Sequence, residues 1–113
     1  MLFRSQFAPV LFGFDSARVQ PDQLAKLAAV AEAVKGGGQL ICEGHADERG
    51  TSEYNRALGE RRALACREEL VNLGVPAANI STVSYGEERP ADPAQTEAAW
   101  SRNRRCEFVI VNQ

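Results

Sequence analysis

Residues 39–73, QLICEGHADERGTSEYNRALGERRALACREELVNL, decide the fold. Gln39–His45 sets Leu40, Cys42 and Gly44 on one side and Ile41, Glu43 and His45 on the other, the period of a strand. The polar loop that follows ends at Thr51 or Ser52, either of which can cap a helix. Beyond it Gly59, Ala63, Cys66, Leu70 and Leu73 recur at spacings of four, three, four and three, an apolar helical stripe that Gly74 brings to an end. The segment therefore reads as strand, short loop and long helix, with the loop at a strand end.

Working outward, PVLFGFDSA (Pro9 to Ala17) reads as a strand ending at Phe14 and Asp15, with Gly13 a bulge or point of close backbone approach. Pro21 suits a first helical turn, Leu24, Leu27, Ala28, Ala31 and Val34 follow at helical spacing, and Gly36, Gly37 and Gly38 stop that helix. On the other side, Ile80 to Tyr85 is rich in β-branched residues and reads as a strand, Pro93 to Trp100 as a short helix, and Arg105 to Val111 as a strand with Cys106, Phe108 and Ile110 on one face. This order predicts a two-layer α/β (α+β) sandwich: one mixed four-stranded sheet, two long helices on one face and a short third helix. The short connection before the last strand requires some antiparallel pairing.

With 113 residues and 44% hydrophobic content, the chain has the size of one compact domain that can bury a core without metal or disulfide staples. No repeat or linker divides it, so one domain is expected over residues 1–113, with its core over about residues 9–111. The formal net charge of -2, with acids and bases interspersed, offers no basic stripe for nucleic acid. No apolar run approaches the roughly 20 residues of a membrane span. MLFRSQFAPV, interrupted by Arg4 and Gln6, is too short for a signal peptide, and localisation is not legible from it. Cys42, Cys66 and Cys106 form no CxxC pair and each lies in an apolar run, so they read as small buried hydrophobes. A Cys42 to Cys106 bridge across neighbouring strands stays open.

Within the loop region, Asn55, Leu58 and Arg62 share one side of the long helix, so Arg62 is expected as a partly sheltered cation near the loop that carries Asp47. The pair is either a salt bridge tying loop to helix or a site with one pole of each sign. The second suits a zwitterion: a carboxylate takes an ammonium, and a guanidinium grips a carboxylate through two parallel hydrogen bonds. A catalytic reading would pair His45 with Asp47 or Glu43, yet no serine or cysteine nucleophile lies nearby in sequence. One histidine with scattered acids makes a poor metal set, and no metal or cofactor is expected.

Taken together, GHADERGTSEYNRALGERRALACREEL, LGVPAANISTVSYGEERP and NRRCEFVI resemble the OmpA C-terminal-like family, specifically its peptidoglycan-associated lipoprotein (Pal) branch, from about Val10 to Val111. The resemblance implies a noncatalytic domain that binds peptidoglycan through the diaminopimelate residue of the stem peptide. It implies that Asp47 and Arg62 hold that residue's amino and carboxyl groups, the pair already singled out by spacing. By motif match it places Phe14, Asp15, Arg49, Thr51, Tyr54, Asn55 and Leu58 around the pocket, with Asn103 and Arg104 in support. Leu58 and Tyr54 would meet the ligand's methylenes, backbone N–H groups of the loop its carboxylate, and His45 would shape the loop. Asp47→Ala and Arg62→Ala are then expected to abolish wall binding with thermal stability nearly unchanged.

The branch also engages the TolB protein and other Tol proteins through a surface overlapping the wall-binding site, so a protein-interaction module is the competing reading. Its proteins are periplasmic and held to the outer membrane of Gram-negative bacteria by a lipid on an N-terminal cysteine. None of the three cysteines here has that context, so membrane contact is expected only through a tether absent from this chain. A wall-cutting hydrolase is the third reading and would need a nucleophile or metal beside Asp47.

Overall fold

Seven-residue Gln39–His45 (β3) and seven-residue Arg105–Val111 (β5) form the centre of one sheet. The computed structural model describes residues 2–4 and 7–111, so Met1, Ser5, Gln6, Asn112 and Gln113, the margins of the expected domain, lie outside the described residues. Ahead of β3 come Leu2–Arg4 (β1), Val10–Leu11 (β2) and Leu24–Ala33 (α1), the last entered through a 3-10 turn at Pro21–Gln23. Between β3 and β5 run Ser52–Asn72 (α2), Ile80–Gly86 (β4) and Glu97–Asn103 (α3).

Across the sheet the order is β1-β5-β3-β4, and β2 also pairs with β5. The β3–β4 pair is parallel, as the α2 crossover demands, and β5 runs antiparallel to β3. Because β1 meets Val109–Val111 while β2 meets Arg105 and Cys106, the two short strands share one edge position. The sheet is therefore mixed and four positions wide, as expected. Both longer helices cover one face: Leu27, Val30 and Val34 of α1 and Ala63, Cys66 and Leu70 of α2 pack with Val10, Phe12, Leu40, Cys42, Ile80, Cys106 and Phe108.

One contact sets how α2 lies on β3. A Cβ placed on Gly44 would overlap the Gly59 carbonyl, and one on Gly59 would overlap the Ser84 hydroxyl. Two glycines thus let strand and helix touch backbone to backbone. Ser84 completes the seam by donating from Oγ to the Arg56 carbonyl at 2.6 Å.

Three sequence expectations need correction. The first strand does not reach Phe14 and Asp15: after Leu11 only the Phe12 amide keeps a sheet-like bond, to the Arg104 carbonyl at 2.9 Å. The chain then turns, Ser16 N bonding Gly13 O at 3.2 Å and Asp15 adopting a left-handed φ of 54°. The short helix starts later than Pro93, because Thr96 caps it by accepting from Ala99 N at 3.2 Å, and it runs to Asn103. Leu73, counted in the apolar stripe, follows the last α2 turn and is 49% exposed. The open disulfide question resolves to three free, buried thiols. Burial pushes the Cys106 thiol well above its ordinary pKa, as do hydrogen bonds with Cys42 and Cys66.

The other sheet face is also partly closed. Glu43 and His45 are buried there beside Tyr85, whose hydroxyl donates to Glu43 Oε2 at 3.4 Å and whose ring lies 5.5 Å from the His45 ring. The Arg105 guanidinium, also buried, donates to the carbonyls of Arg89 at 2.9 Å and Asn103 at 3.3 Å. Among the described residues, no helix is long and apolar enough to cross a membrane.

Candidate functional site

At the carboxyl end of β3 the chain leaves the sheet through Ala46 and Asp47, turns at Gly50 with φ 97°, and enters α2 under the Thr51 cap, whose hydroxyl accepts from Tyr54 N at 3.1 Å. Opposite lies the turn after β2. Between them is a cavity of about 250 Å³, lined by Phe14, Asp15, Ala46, Asp47, Arg49, Gly50, Tyr54, Asn55, Leu58 and Arg62. Eight of the expected site residues thus line one cavity: Phe14, Asp15, Arg49, Tyr54, Asn55 and Leu58 from the supporting set, around the central pair Asp47 and Arg62.

Arg62 differs from expectation. Rather than partly sheltered, it is fully buried, at 0% exposure. Its Nε donates to Ser16 O at 2.8 Å, Nη1 to His45 O at 2.8 Å and Nη2 to Gly13 O at 3.2 Å. One guanidinium thereby fastens the β2–α1 turn, the end of β3 and α2 to one another. These bonds also explain why the first strand stops early, since two carbonyls just beyond it turn toward α2. Three of the five guanidinium N–H groups are used, leaving two. Burial lowers the Arg62 pKa to about 10, Arg104 adds to the lowering and Asp47 opposes it, which leaves the group charged at neutral pH.

Asp47 does not pair with Arg62 either. Its Oδ1 accepts from the Arg49 backbone N at 3.0 Å and from Arg49 Nε at 3.1 Å, while Oδ2 accepts from Arg49 Nη2 at 2.8 Å. Behind it, Arg104 Nη1 stands 3.6 Å from Oδ2. Burial alone would raise the Asp47 pKa, but these Arg49 hydrogen bonds and the two positive charges hold it below the ordinary carboxylate value.

The remaining expected residues fall into two groups. Arg104 is anchored by Nε to Phe12 O at 2.9 Å and by Nη2 to Glu97 Oε1 at 3.1 Å, so it braces Asp47 from outside the cavity lining. Thr51 acts as the α2 cap, and Asn103 is turned away, bonding Asp92 N at 3.0 Å and Asp92 O at 2.8 Å. His45 contributes its carbonyl to Arg62 while its ring faces Tyr85, so it does not form an acid–base pair with Asp47 across the cavity.

A residue missed in the sequence is Trp100. The Arg49 guanidinium lies between two rings, 4.4 Å from the Phe14 centroid and 4.0 Å from that of Trp100. Phe14 is 66% exposed, so the stack stands on the cavity rim. Tyr54, also in the lining, donates its hydroxyl to Asp15 Oδ1. Trp100 sits about 50 residues from Arg49, and no spacing rule links them; helical placement alone brings its ring there.

The cavity can hold a ligand with opposite charges at its two ends and an apolar body, because acids and guanidiniums line it beside Leu58 and the Tyr54 ring. The lining offers no thiol, and among the described residues no group of His, Cys, Asp and Glu could hold a metal ion.

Known proteins agree with this architecture. The sequence pattern of the OmpA family matches residues 11–104. A peptidoglycan-associated lipoprotein of Pseudomonas aeruginosa is 48% identical over 98 residues, covering 86% of this chain and 58% of the relative. Its counterpart in Brucella melitensis is 43% identical over 103 residues, covering 89% and 61%. The chain thus spans about three fifths of the length of these curated relatives. The crystal structure of the peptidoglycan-associated lipoprotein from Burkholderia pseudomallei superposes with a TM-score of 0.85 at 43% identity, over 93% of this chain and 89% of that one. Sheet order, helix placement and sequence pattern converge, and the chain belongs to the OmpA family.

Proposed function

We infer that this chain is a noncatalytic module that anchors an envelope component to peptidoglycan, its cavity taking the diaminopimelate residue of the stem peptide. The observation that carries the reading is the cavity itself: carboxylates of Asp15 and Asp47 and guanidiniums of Arg49 and Arg62 around the apolar Leu58 side chain, in a chain whose relatives are named for their association with peptidoglycan. Diaminopimelate carries an ammonium and a carboxylate at the far end of its side chain, joined to the stem by methylenes. Asp47 is the acceptor for the ammonium, and the two N–H groups that Arg62 has left are donors for the carboxylate. Gly50, with its positive φ, leaves the loop backbone open to a carboxylate oxygen. The setting is the periplasmic side of a Gram-negative outer membrane.

The test is retention of the purified domain on insoluble peptidoglycan containing diaminopimelate or lysine. Selective retention on the first, lost in Asp47→Ala, is the expected result. Retention on neither would transfer the rim to a protein partner such as TolB. Release of soluble wall fragments by the pure domain would make it a hydrolase and overturn the anchor reading.

A further inference from the structure

Within the cavity the carboxylate assigned to the ligand's ammonium already accepts hydrogen bonds from the protein itself. Arg49 takes three of the roughly four lone-pair positions of Asp47: Nε and the backbone N on Oδ1, Nη2 on Oδ2. Arg104 adds a second cation 3.6 Å from Oδ2. Counting the charged groups at the site, the guanidiniums of Arg49, Arg62 and Arg104 face the carboxylates of Asp15, Asp47 and Glu97, the last paired with Arg104, so that the charges balance. An incoming ammonium therefore meets a filled acceptor, and a ligand of one sign alone upsets the balance that a zwitterion preserves.

The three arginines are not equally fixed. Arg62 and Arg104 are buried and bonded to backbone carbonyls. Arg49 has a side chain 34% exposed, its hydrogen bonds among the described residues go to Asp47, and its flat face rests on Phe14 and Trp100 at the rim. It is the member that can move, and its removal from Asp47 uncovers that carboxylate.

We propose that Arg49 is the specificity-determining residue of the cavity: it stands in for the ligand's ammonium on Asp47 and yields only to a ligand that brings a carboxylate for the released guanidinium. This rests on the diaminopimelate reading and deepens it. A plain amine, such as the side chain of a lysine stem, would free Arg49 without supplying an anion, and so would leave one positive charge uncompensated. A zwitterion exchanges partners with both signs matched. The exchange makes the cavity reject a compound that lacks only the terminal carboxylate, through an unfavourable contact as much as through a missing favourable one.

The test uses soluble stem peptides carrying either diaminopimelate or lysine, titrated by calorimetry into the wild-type domain, Arg49→Gln and Arg49→Lys, with circular dichroism and melting curves confirming that each variant folds. Wild type should bind the diaminopimelate peptide and discriminate against the lysine peptide. In Arg49→Gln, Asp47 is open, so the lysine peptide should gain affinity and the ratio between the two should fall about tenfold or more. Arg49→Lys should fall between, because an ammonium keeps the charge but loses the forked contact. Trp100 is the only tryptophan in the chain, so loss of the guanidinium from its face gives a second readout: diaminopimelate peptide should shift wild-type emission and leave that of Arg49→Gln nearly unchanged.

An unchanged ratio in Arg49→Gln, or loss of diaminopimelate binding without any gain for lysine, would overturn the role of Arg49 while leaving the wall-binding reading in place. Wild-type protein that binds neither peptide, or both alike, would remove the reading on which it stands.

Discussion

Asp47 and Arg62, the acid and the guanidinium of one cavity, do not bind each other: Arg62 gives its bonds to the carbonyls of Gly13, Ser16 and His45, and Asp47 accepts its own from Arg49. Each is held by different neighbours, so replacing each has a different consequence.

For Arg62→Ala the consequence is loss of fold as well as binding. The change leaves three buried or half-buried carbonyls without a donor and opens a space beside Phe12, whose ring centroid is 5.4 Å from the guanidinium carbon. A loss of about 3 kcal/mol or more is expected. Urea unfolding would show it as a lower midpoint, and a midpoint within experimental error of wild type would mean that these bonds contribute nothing. The near-neutral effect expected from the sequence depended on a partly exposed Arg62, which the structure replaces with a buried one.

Asp47→Asn should cost less, roughly 2 kcal/mol at neutral pH, since the amide keeps an oxygen for Arg49 but loses the charge. The pH dependence has a definite sign. Asp47 has a folded-state pKa below its ordinary value, so its charge stabilises the folded state above the unfolded pKa of about 3.9 and that contribution disappears as pH falls through the lower folded pKa. The difference between wild type and Asp47→Asn, measured by urea unfolding across a pH series, should be constant from neutral pH down to about 5 and close below about 4. A gap that widens on acidification would contradict the pairing.

Gly44→Ala probes the seam between β3 and α2. The added methyl overlaps the Gly59 carbonyl, and neither backbone can withdraw without shifting the helix that carries Arg62 and Leu58. Destabilisation of about 3 kcal/mol and weakened ligand binding should appear together. Gly36→Ala, which meets nothing within 4 Å, is the control and should melt near wild type.

The thiols give a readout that needs no ligand. Cys42, Cys66 and Cys106 are each 0% exposed, so an aromatic disulfide reagent should modify none in the native domain and all three in denaturant. Cys66→Asp, which buries a charge between α2 and the sheet, should prevent folding.

Much of this protein follows from local pattern. The period of two in Gln39–His45 and Arg105–Val111 and the four-three spacing from Gly59 to Leu70 are local consequences of backbone geometry, and they set the strands, the long helix and the buried face. The polar loop at the end of β3, with Asp47 and the cavity-facing side of α2, followed from that order. Tertiary structure decided who binds whom. Arg62 could have met Asp47, but three carbonyls folded in from the β2–α1 turn and β3 reached it first, and a turn's carbonyls carry no sequence signature. Arg49 could have faced solvent, but α3 brought Trp100 over it while its own fork closed on Asp47. Periodicity reports which face of an element is buried; the partner of a charged group depends on which donors and acceptors several distant segments bring within hydrogen-bond reach, and only the assembled chain contains that information.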